Sequence, residues 1–284
     1  MTTRGNMVIT GASTGIGEAC ALHFARAGFT VYAGVRNDSD AGRLQRSSPN
    51  LQPALLDVTV ESSIERAIEH IAAQTGAAGL CGLVNNAGIA VAAPLECVSL
   101  GKFRRQLEVN VIGALAVTQR CLPLLRQGRG RIVNMSSVSG LVAPPFVGPY
   151  AASKFALEAL SDALRLELKP WRIHVAVVEP GPVATPIWQK SRDAVAQFME
   201  DLPPTYRMLY GQATQQMARV MEDAAGAAVP ADWVVAAVEH ALLSPRPRTR
   251  YLASRGMRFT MWLSRLLPDR WRDRGLLKHY GLPD

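Results

Sequence analysis

Short apolar runs alternate with longer amphipathic stretches along most of this chain. Asn6–Thr10 is an apolar run that ends in a glycine turn, and a helical pattern follows it through Ala27. Thr30–Val35 and Gln52–Leu56 read as strands, and Glu61 to about Gln74 as a helix. Cys81–Val84 reads as a strand, Leu100–Leu125 as one long helix and Arg131–Met135 as a strand. Tyr150–Leu168 is a helix and Ile173–Val178 a strand. The strands are continuous apolar runs, the pattern of a sheet covered on both faces. Strand–helix alternation predicts an α/β fold with a doubly wound parallel sheet, whose ligands bind at the carboxyl ends of the strands.

After Pro180-Gly181 the regularity weakens. Residues 183–228 lack a strand signal and read as helices and loops over the site; Trp188, Phe198, Met199, Tyr206, Met208 and Tyr210 make that stretch apolar. A helix at Ala231–Leu243 and a short strand near Arg250–Leu252 return to the main pattern. This divides the chain into a single domain over residues 1–252, with 183–228 as a covering insertion, and a C-terminal extension over 253–284.

Composition adds three points. A chain of 284 residues, 48% hydrophobic and 19% charged, suits one α/β domain with a sizeable core. Cys20, Cys81, Cys97 and Cys121 form no Cys-x-x-Cys pair and no metal spacing, so they read as buried small hydrophobes in a reducing compartment, with no metal expected. No secretory signal and no membrane-spanning run is visible, which points to the cytoplasm. The net charge of +8 is unevenly placed: ten of the 31 Lys/Arg lie in residues 246–278 against Asp269 and Asp273, so the rest of the chain is neutral. The high pI therefore does not argue for nucleic acid.

The first chemical signal is Thr10-Gly-Ala-Ser-Thr-Gly-Ile-Gly17. Gly11, Gly15 and Gly17 follow a strand and open a helix, so backbone amides of Ser13, Thr14 and Ile16 surround a helix N-terminus suited to phosphate. An ordinary tight turn fits the glycines alone. In this position they predict a Rossmann-type dinucleotide site. Arg36 lies just past the second strand, with no acid before Asp38. A carboxylate there would take the adenosine ribose, whereas a guanidinium suits a 2′-phosphate, so NADP(H) is favoured over NAD(H). Asp57, with Val58, ends the third strand and fits an adenine contact or a helix cap equally. Asn85-Asn86-Ala87-Gly88 ends the fourth strand, supporting the loop and lining the crevice, or simply turning. Pro180, Gly181, Val183 and Thr185 form a stiff loop after the sixth strand, from which Thr185 reaches toward the cofactor.

The second signal is Tyr150 and Lys154, four apart at a helix start and hence on one face, 13 residues after Ser137 at a strand end. A phenol titrates near 10, and a nearby ammonium would lower that value toward useful proton exchange. Ser137 can hydrogen-bond a substrate oxygen. Asn110 sits mid-helix, where its amide hints at a kink or a water site. Loop and triad together predict hydride transfer between a nicotinamide and a carbon bearing oxygen.

These residues together resemble the short-chain dehydrogenase/reductase family over roughly residues 6–252. The resemblance implies that Asn110, Ser137, Tyr150 and Lys154 form a catalytic tetrad. Tyr150 would be the general acid/base, Lys154 would bind the nicotinamide ribose, Ser137 would hold the substrate oxygen, and Asn110 a relay water. The stretches Val31–Arg36, Ser137–Phe146 and Tyr150–Glu158 are similar to the steroid and retinol dehydrogenase branch. That implies an alcohol–carbonyl interconversion on a steroid-, retinoid- or lipid-like substrate, a place in lipid metabolism, and a homodimer or homotetramer. The competing reading is a non-catalytic dinucleotide-binding redox sensor or scaffold. Outside the resemblance, Phe259, Trp262, Leu263, Leu266 and Leu267 fall on one helical face and Arg258 and Arg265 on another. Such a basic amphipathic helix fits a membrane surface, through residues 254–278, or packing on its own domain or a partner subunit.

Overall fold

Seven apolar segments pair into one all-parallel sheet. The computed structural model describes residues 3–186, 203–254 and 267–283, together with Gln197 and Gly256. The strands are β1 (Asn6–Ile9), β2 (Thr30–Val35), β3 (Leu51–Leu55), β4 (Gly82–Asn85), β5 (Arg131–Met135), β6 (Val175–Pro180) and β7 (Arg250–Ala253). Their spatial order is β3-β2-β1-β4-β5-β6-β7. The chain builds outward from β1 to β3, then crosses back to β4 on the other side of β1. Loops leaving β1 and β4 therefore diverge, which opens a crevice at their carboxyl ends.

Alternate strand residues feed opposite helix layers. Met7, Ile9, Val84 and Val133 face α1 (Gly15–Arg26), α2 (Asp38–Ser47) and α8 (Ala231–Leu243) through Phe24, Leu44 and Val238. Val8, Leu83 and Ile132 face α3 (Glu61–Thr75) and α5 (Gly113–Gln127) through Ile68, Val117 and Cys121. A buried polar chain fixes the second layer. Asn85 Nδ2 donates to Thr118 Oγ1 and Asn134 Oδ1, both at 2.8 Å, and Asn134 Nδ2 donates to Ser161 Oγ at 2.8 Å. It ties β4 and β5 to α5 and α6 (Gly148–Glu167).

Two elements differ from expectation. The stretch read as one helix over 100–125 is α4 (Leu100–Leu107), a π turn at Glu108–Ile112, and α5. The π turn holds Asn110, and such bulges reshape a helix where a side chain must reach inward. The helix α2 is an addition: its only buried residue is Leu44, so it has no apolar stripe, and Asn37 caps it by accepting from Asp40 N at 2.9 Å. Beyond β6 lie α7 (Pro204–Gly226) and α9 (Asp269–Tyr280), where Gly281, just past α9, rests against Gln216 of α7. Trp188, Phe198 and Met199 lie outside the described residues, as do Phe259, Trp262, Leu263 and Leu266 of the amphipathic pattern. No described helix is long and apolar enough to cross a membrane.

Candidate active site

The glycine loop turns because Gly11 takes φ +62°, and a Cβ there would lie 2.7 Å from Ala87 Cα. At Gly17 a Cβ would fall 2.3 Å from Gly11 O and 2.4 Å from Asn86 Nδ2, so only glycine lets the helix start so close to the strand ends. Thr14 precedes α1 in extended conformation and makes no side-chain cap bond, which leaves the first amides of α1, at Gly15, Ile16 and Gly17, open to an anion. A nucleotide pyrophosphate fits this cradle.

Polar contacts lock the loop from both sides. Thr10 Oγ1 accepts from Asn86 N and Ala87 N at 3.0 Å each, while Asn86 Nδ2 donates to Thr10 O and Gly11 O, also at 3.0 Å. The amide of Asn86 is thus spent on the loop rather than aimed at the crevice. On the far side Arg43 of α2 donates to Ser13 O and to Glu18. Arg43 and its helix had no sequence signal, because a polar helix without a stripe looks like a loop.

At the outer end of the crevice Arg36 is exposed just past β2. Asp57 Oδ1 accepts from Thr59 N at 2.9 Å and Thr59 Oγ1 at 2.7 Å. Burial pushes the Asp57 carboxyl up, but the Thr59 bonds and the fields of Arg105 and Arg36 outweigh it and hold the group below its ordinary range. Val58 buries its side chain in the core. Across the crevice, Gly181 N donates to Ala253 O at 3.2 Å and Ala184 N to Val229 O at 2.9 Å, pinning the loop after β6 on both flanks. Val183 is buried there, and Thr185 lies against Gly15.

Tyr150 and Lys154 stand on the first turns of α6, beside the end of β5. Ser137 Oγ accepts from Ser139 N at 3.1 Å, which leaves its proton free to be donated. Burial pushes the Tyr150 phenol up, and hydrogen bonding with Ser137 pulls against it. Lys154 is 5% exposed; its Nζ donates to Met135 O at 2.7 Å and lies 5.5 Å from the Tyr150 ring centroid. Burial lowers the ammonium to about 8, opposed by the carboxylate of Glu158. The expected lowering of the phenol by Lys154 is not what this arrangement produces. The ammonium points to the Met135 carbonyl, and desolvation dominates at the phenol.

Asn110 brings the β4 loop and α6 together. Its Oδ1 accepts from Ile89 N at 2.9 Å, and its Nδ2 donates to Ile89 O and to Ser153 Oγ at 3.0 Å each. Ser153 Oγ in turn donates to Tyr150 O at 2.7 Å. Gln106, one turn earlier and fully buried, repeats the grip: Nε2 donates to Ile89 O and Oε1 accepts from Val91 N, both at 2.7 Å. The side chain of Asn110 is therefore committed to protein groups, and any water it holds must be held through backbone. Sequence reasoning missed Gln106 and Ser153; the i, i+4 spacing of Gln106 and Asn110 was the available signal.

The mouth is set by Phe146, a non-glycine residue at φ +64° whose carbonyl accepts from Ala93 N at 2.6 Å. Such backbone strain concentrates at functional sites. Its ring meets Tyr210 of α7 edge-on at 6.4 Å, and the Tyr210 hydroxyl donates to Glu96 Oε2 at 2.5 Å. Tyr210 thus joins α7 to the loop before α4.

The family model for short chain dehydrogenases matches residues 5–196. The chain therefore belongs to the short-chain dehydrogenase/reductase family and is an oxidoreductase acting on CH–OH or carbonyl groups. An NADPH-dependent 3-dehydrocapnine reductase from Ornithobacterium rhinotracheale is 32% identical over 273 residues, covering 94% of each chain. Retinol dehydrogenase 5 from Mus musculus is 37% identical over 252 residues, covering 86% of this chain and 78% of the relative. With such relatives the chain falls in the steroid- and retinol-dehydrogenase-like branch. A solved short chain dehydrogenase from Burkholderia cenocepacia J2315 in complex with NADP has a TM-score of 0.73 at 25% identity, covering 99% of each chain. Another from Burkholderia phymatum, in complex with NAD, shares the fold with a TM-score of 0.78 at 23% identity, covering 93% of this chain and 94% of that one.

Proposed function

We propose that this protein interconverts an alcohol and its ketone or aldehyde on a lipophilic substrate, using NADP(H). The observation that carries the reading is the meeting of Ser137, Tyr150 and Lys154 at the end of β5, on the sheet edge where the glycine loop opens α1. When bound, the nicotinamide supplies the hydride for reduction or takes it in oxidation. The chain does the rest. Tyr150 hands its phenolic proton to the carbonyl oxygen as the carbon is reduced and takes it back in the reverse direction. Ser137 donates to that same oxygen and shares its developing charge. Lys154, buried and cationic, holds the ribose hydroxyls. Asn110 positions the turn that carries Tyr150. A redox sensor or scaffold would have no use for this acid–base set.

Three observations support the finer reading. Arg36 stands where a ribose-binding acid would otherwise stand, and one relative is named NADPH-dependent. The mouth is apolar, with Phe146 and Tyr210 meeting over it and Met208 and Leu209 on α7 left 83% and 64% exposed. Related enzymes named for retinol and hydroxysteroids fit such a mouth.

We also propose a homo-oligomer built on α6. Ala152, Phe155, Ala159, Ala163 and Leu166 are exposed, apolar and share one face, with the exposed Glu167 closing the helix. A further proposal concerns α9, whose outward stripe is Arg270, Arg274 and Lys278 beside Trp271, which is 67% exposed. Like charges at i, i+4 cost helix stability. An anionic membrane surface would offset that cost and seat the indole at the interface.

Four outcomes are expected. Tyr150→Phe loses turnover by about 10²-fold or more while keeping NADP(H) binding, because it removes only the transferable proton; retained turnover in a steady-state assay rejects the acid–base role. Arg36→Ala weakens NADP(H) by roughly tenfold to a hundredfold in calorimetry and leaves NAD(H) unchanged. An equal effect on both cofactors removes Arg36 from 2′-phosphate recognition. Ala159→Arg dissociates the oligomer in light scattering, and an unchanged mass rules out the α6 face. Wild-type protein sediments with phosphatidylserine vesicles, and the triple change Arg270→Gln, Arg274→Gln, Lys278→Gln abolishes it. Equal sedimentation of both proteins removes α9 from membrane contact.

A further inference from the structure

We propose that Glu158 is a positioning residue for Lys154: a buried carboxylate one helical turn further along α6, paired with Arg250 of β7, that supplies the countercharge for the neighbouring ammonium. The inference rests on reading Lys154 as part of the cofactor and proton machinery.

Geometry makes the case. Lys154 and Glu158 are four apart on α6 and so share a face. They are 5% and 7% exposed, so little solvent screens them from each other. The hydrogen bond to Met135 O gives the ammonium a partner but no countercharge. Among the described residues, the groups of other elements placed at the ammonium are uncharged: Gly88, where a Cβ would lie 3.8 Å from Nζ, and the Met135 carbonyl. From α6 itself come Tyr150 and Glu158, and of these only the carboxylate opposes the loss of charge that burial imposes.

The other side of Glu158 gives the buried carboxylate a cation of its own. Its Oε2 accepts from Arg250 Nε at 3.2 Å and lies 3.1 Å from Nη2. Arg250 Nη2 also donates to Asp162 Oδ2 at 2.8 Å, and Arg250 Nε lies 3.5 Å from Glu179 Oε1 of β6. Asp162 has a second cation in Arg165 at 3.0 Å. Arg250 reaches Glu158 through one oxygen only. Oε1 is buried without a hydrogen-bond partner, as is the nearby Ser136 Oγ. A carboxylate serving only as a strut to arginine would engage both oxygens in the forked arrangement. Here Arg250 takes one oxygen, and among the described residues the other accepts no hydrogen bond. Gly140 leaves the room: a Cβ there would lie 2.7 Å from Ser136 Oγ and 3.3 Å from Glu158 Cγ.

The test is the pH dependence of NADP(H) affinity, by calorimetry, in wild type, Glu158→Gln and Glu158→Asp. The wild type should weaken above about pH 8, where Lys154 loses its proton. In Glu158→Gln the weakening should begin about one unit lower, and in Glu158→Asp, which keeps the charge, it should stay within a few tenths of the wild type. Arg250 keeps Asp162 and Glu179 as partners, so Glu158→Met serves if the glutamine variant fails to fold. The alkaline limb of the turnover–pH profile should move with the affinity. Coincident midpoints in all folded variants overturn the proposal, whatever happens to thermal stability; a purely structural Glu158 would give that result. A wild type that binds no NADP(H) at any pH instead overturns the proposed function.

Discussion

The site depends on the tie between the ends of β1 and β4. A parallel sheet delivers every strand's carboxyl end to one edge, but the order in which strands are added reverses between these two, and their loops part. Thr10 and Asn86 bridge that parting with four hydrogen bonds at 3.0 Å. Without them the glycine loop would lose its inner anchor and keep only the contacts of Arg43 and β2 on its far side, and glycine-rich backbone is entropically costly to hold. The tie also explains the glycines. Ala87 and Asn86 sit so close to Gly11 and Gly17 that any side chain there would collide with the groups making the bridge.

A second tie runs from the β4 loop to α6. Gln106 and Asn110 project from successive turns around the π bulge and grip Ile89 and Val91. Asn110 then reaches Ser153, which holds the carbonyl of Tyr150. Gln106, Asn110 and Ser153 are buried, so an unmade bond at any of them would leave a desolvation penalty of about 1–3 kcal/mol. That penalty is what makes the geometry definite. The extra residue of the π turn is the device that lets two amides from one helix face the same short loop.

These ties also mark how far the sequence could be read. Strands were legible because their apolar runs are continuous, and the glycine loop and Tyr150–Lys154 spacing because each is local. The apolar pattern of 100–125 gave no hint of the break itself; only Asn110, an amide out of place mid-helix, marked where it falls. The helix at 38–47 escaped because it buries Leu44 alone and is held by a cap and by Arg43. Arg250 carried no signal, since its partners Glu158, Asp162 and Glu179 lie 71–92 residues away and meet only when β7 joins the sheet. Long-range polar partnerships leave no period in a sequence.

Charge placement links the buried site to the rest of the molecule. The interior holds few ions, and they fall along α6 and the strands beside it. Lys154, Glu158, Asp162 and Arg165 descend one helix, while Glu179 and Arg250 face them from β6 and β7. Lys154 and Arg165 flank the carboxylates of Glu158 and Asp162, and Arg250 stands between those two and Glu179, so each charge of this row has an opposite charge beside it. An isolated buried ammonium would neutralise itself rather than bear the desolvation cost. A lysine near about 8 is one whose burial is largely but not wholly compensated. That intermediate state keeps Lys154 cationic at neutral pH, with its ammonium held on the Met135 carbonyl.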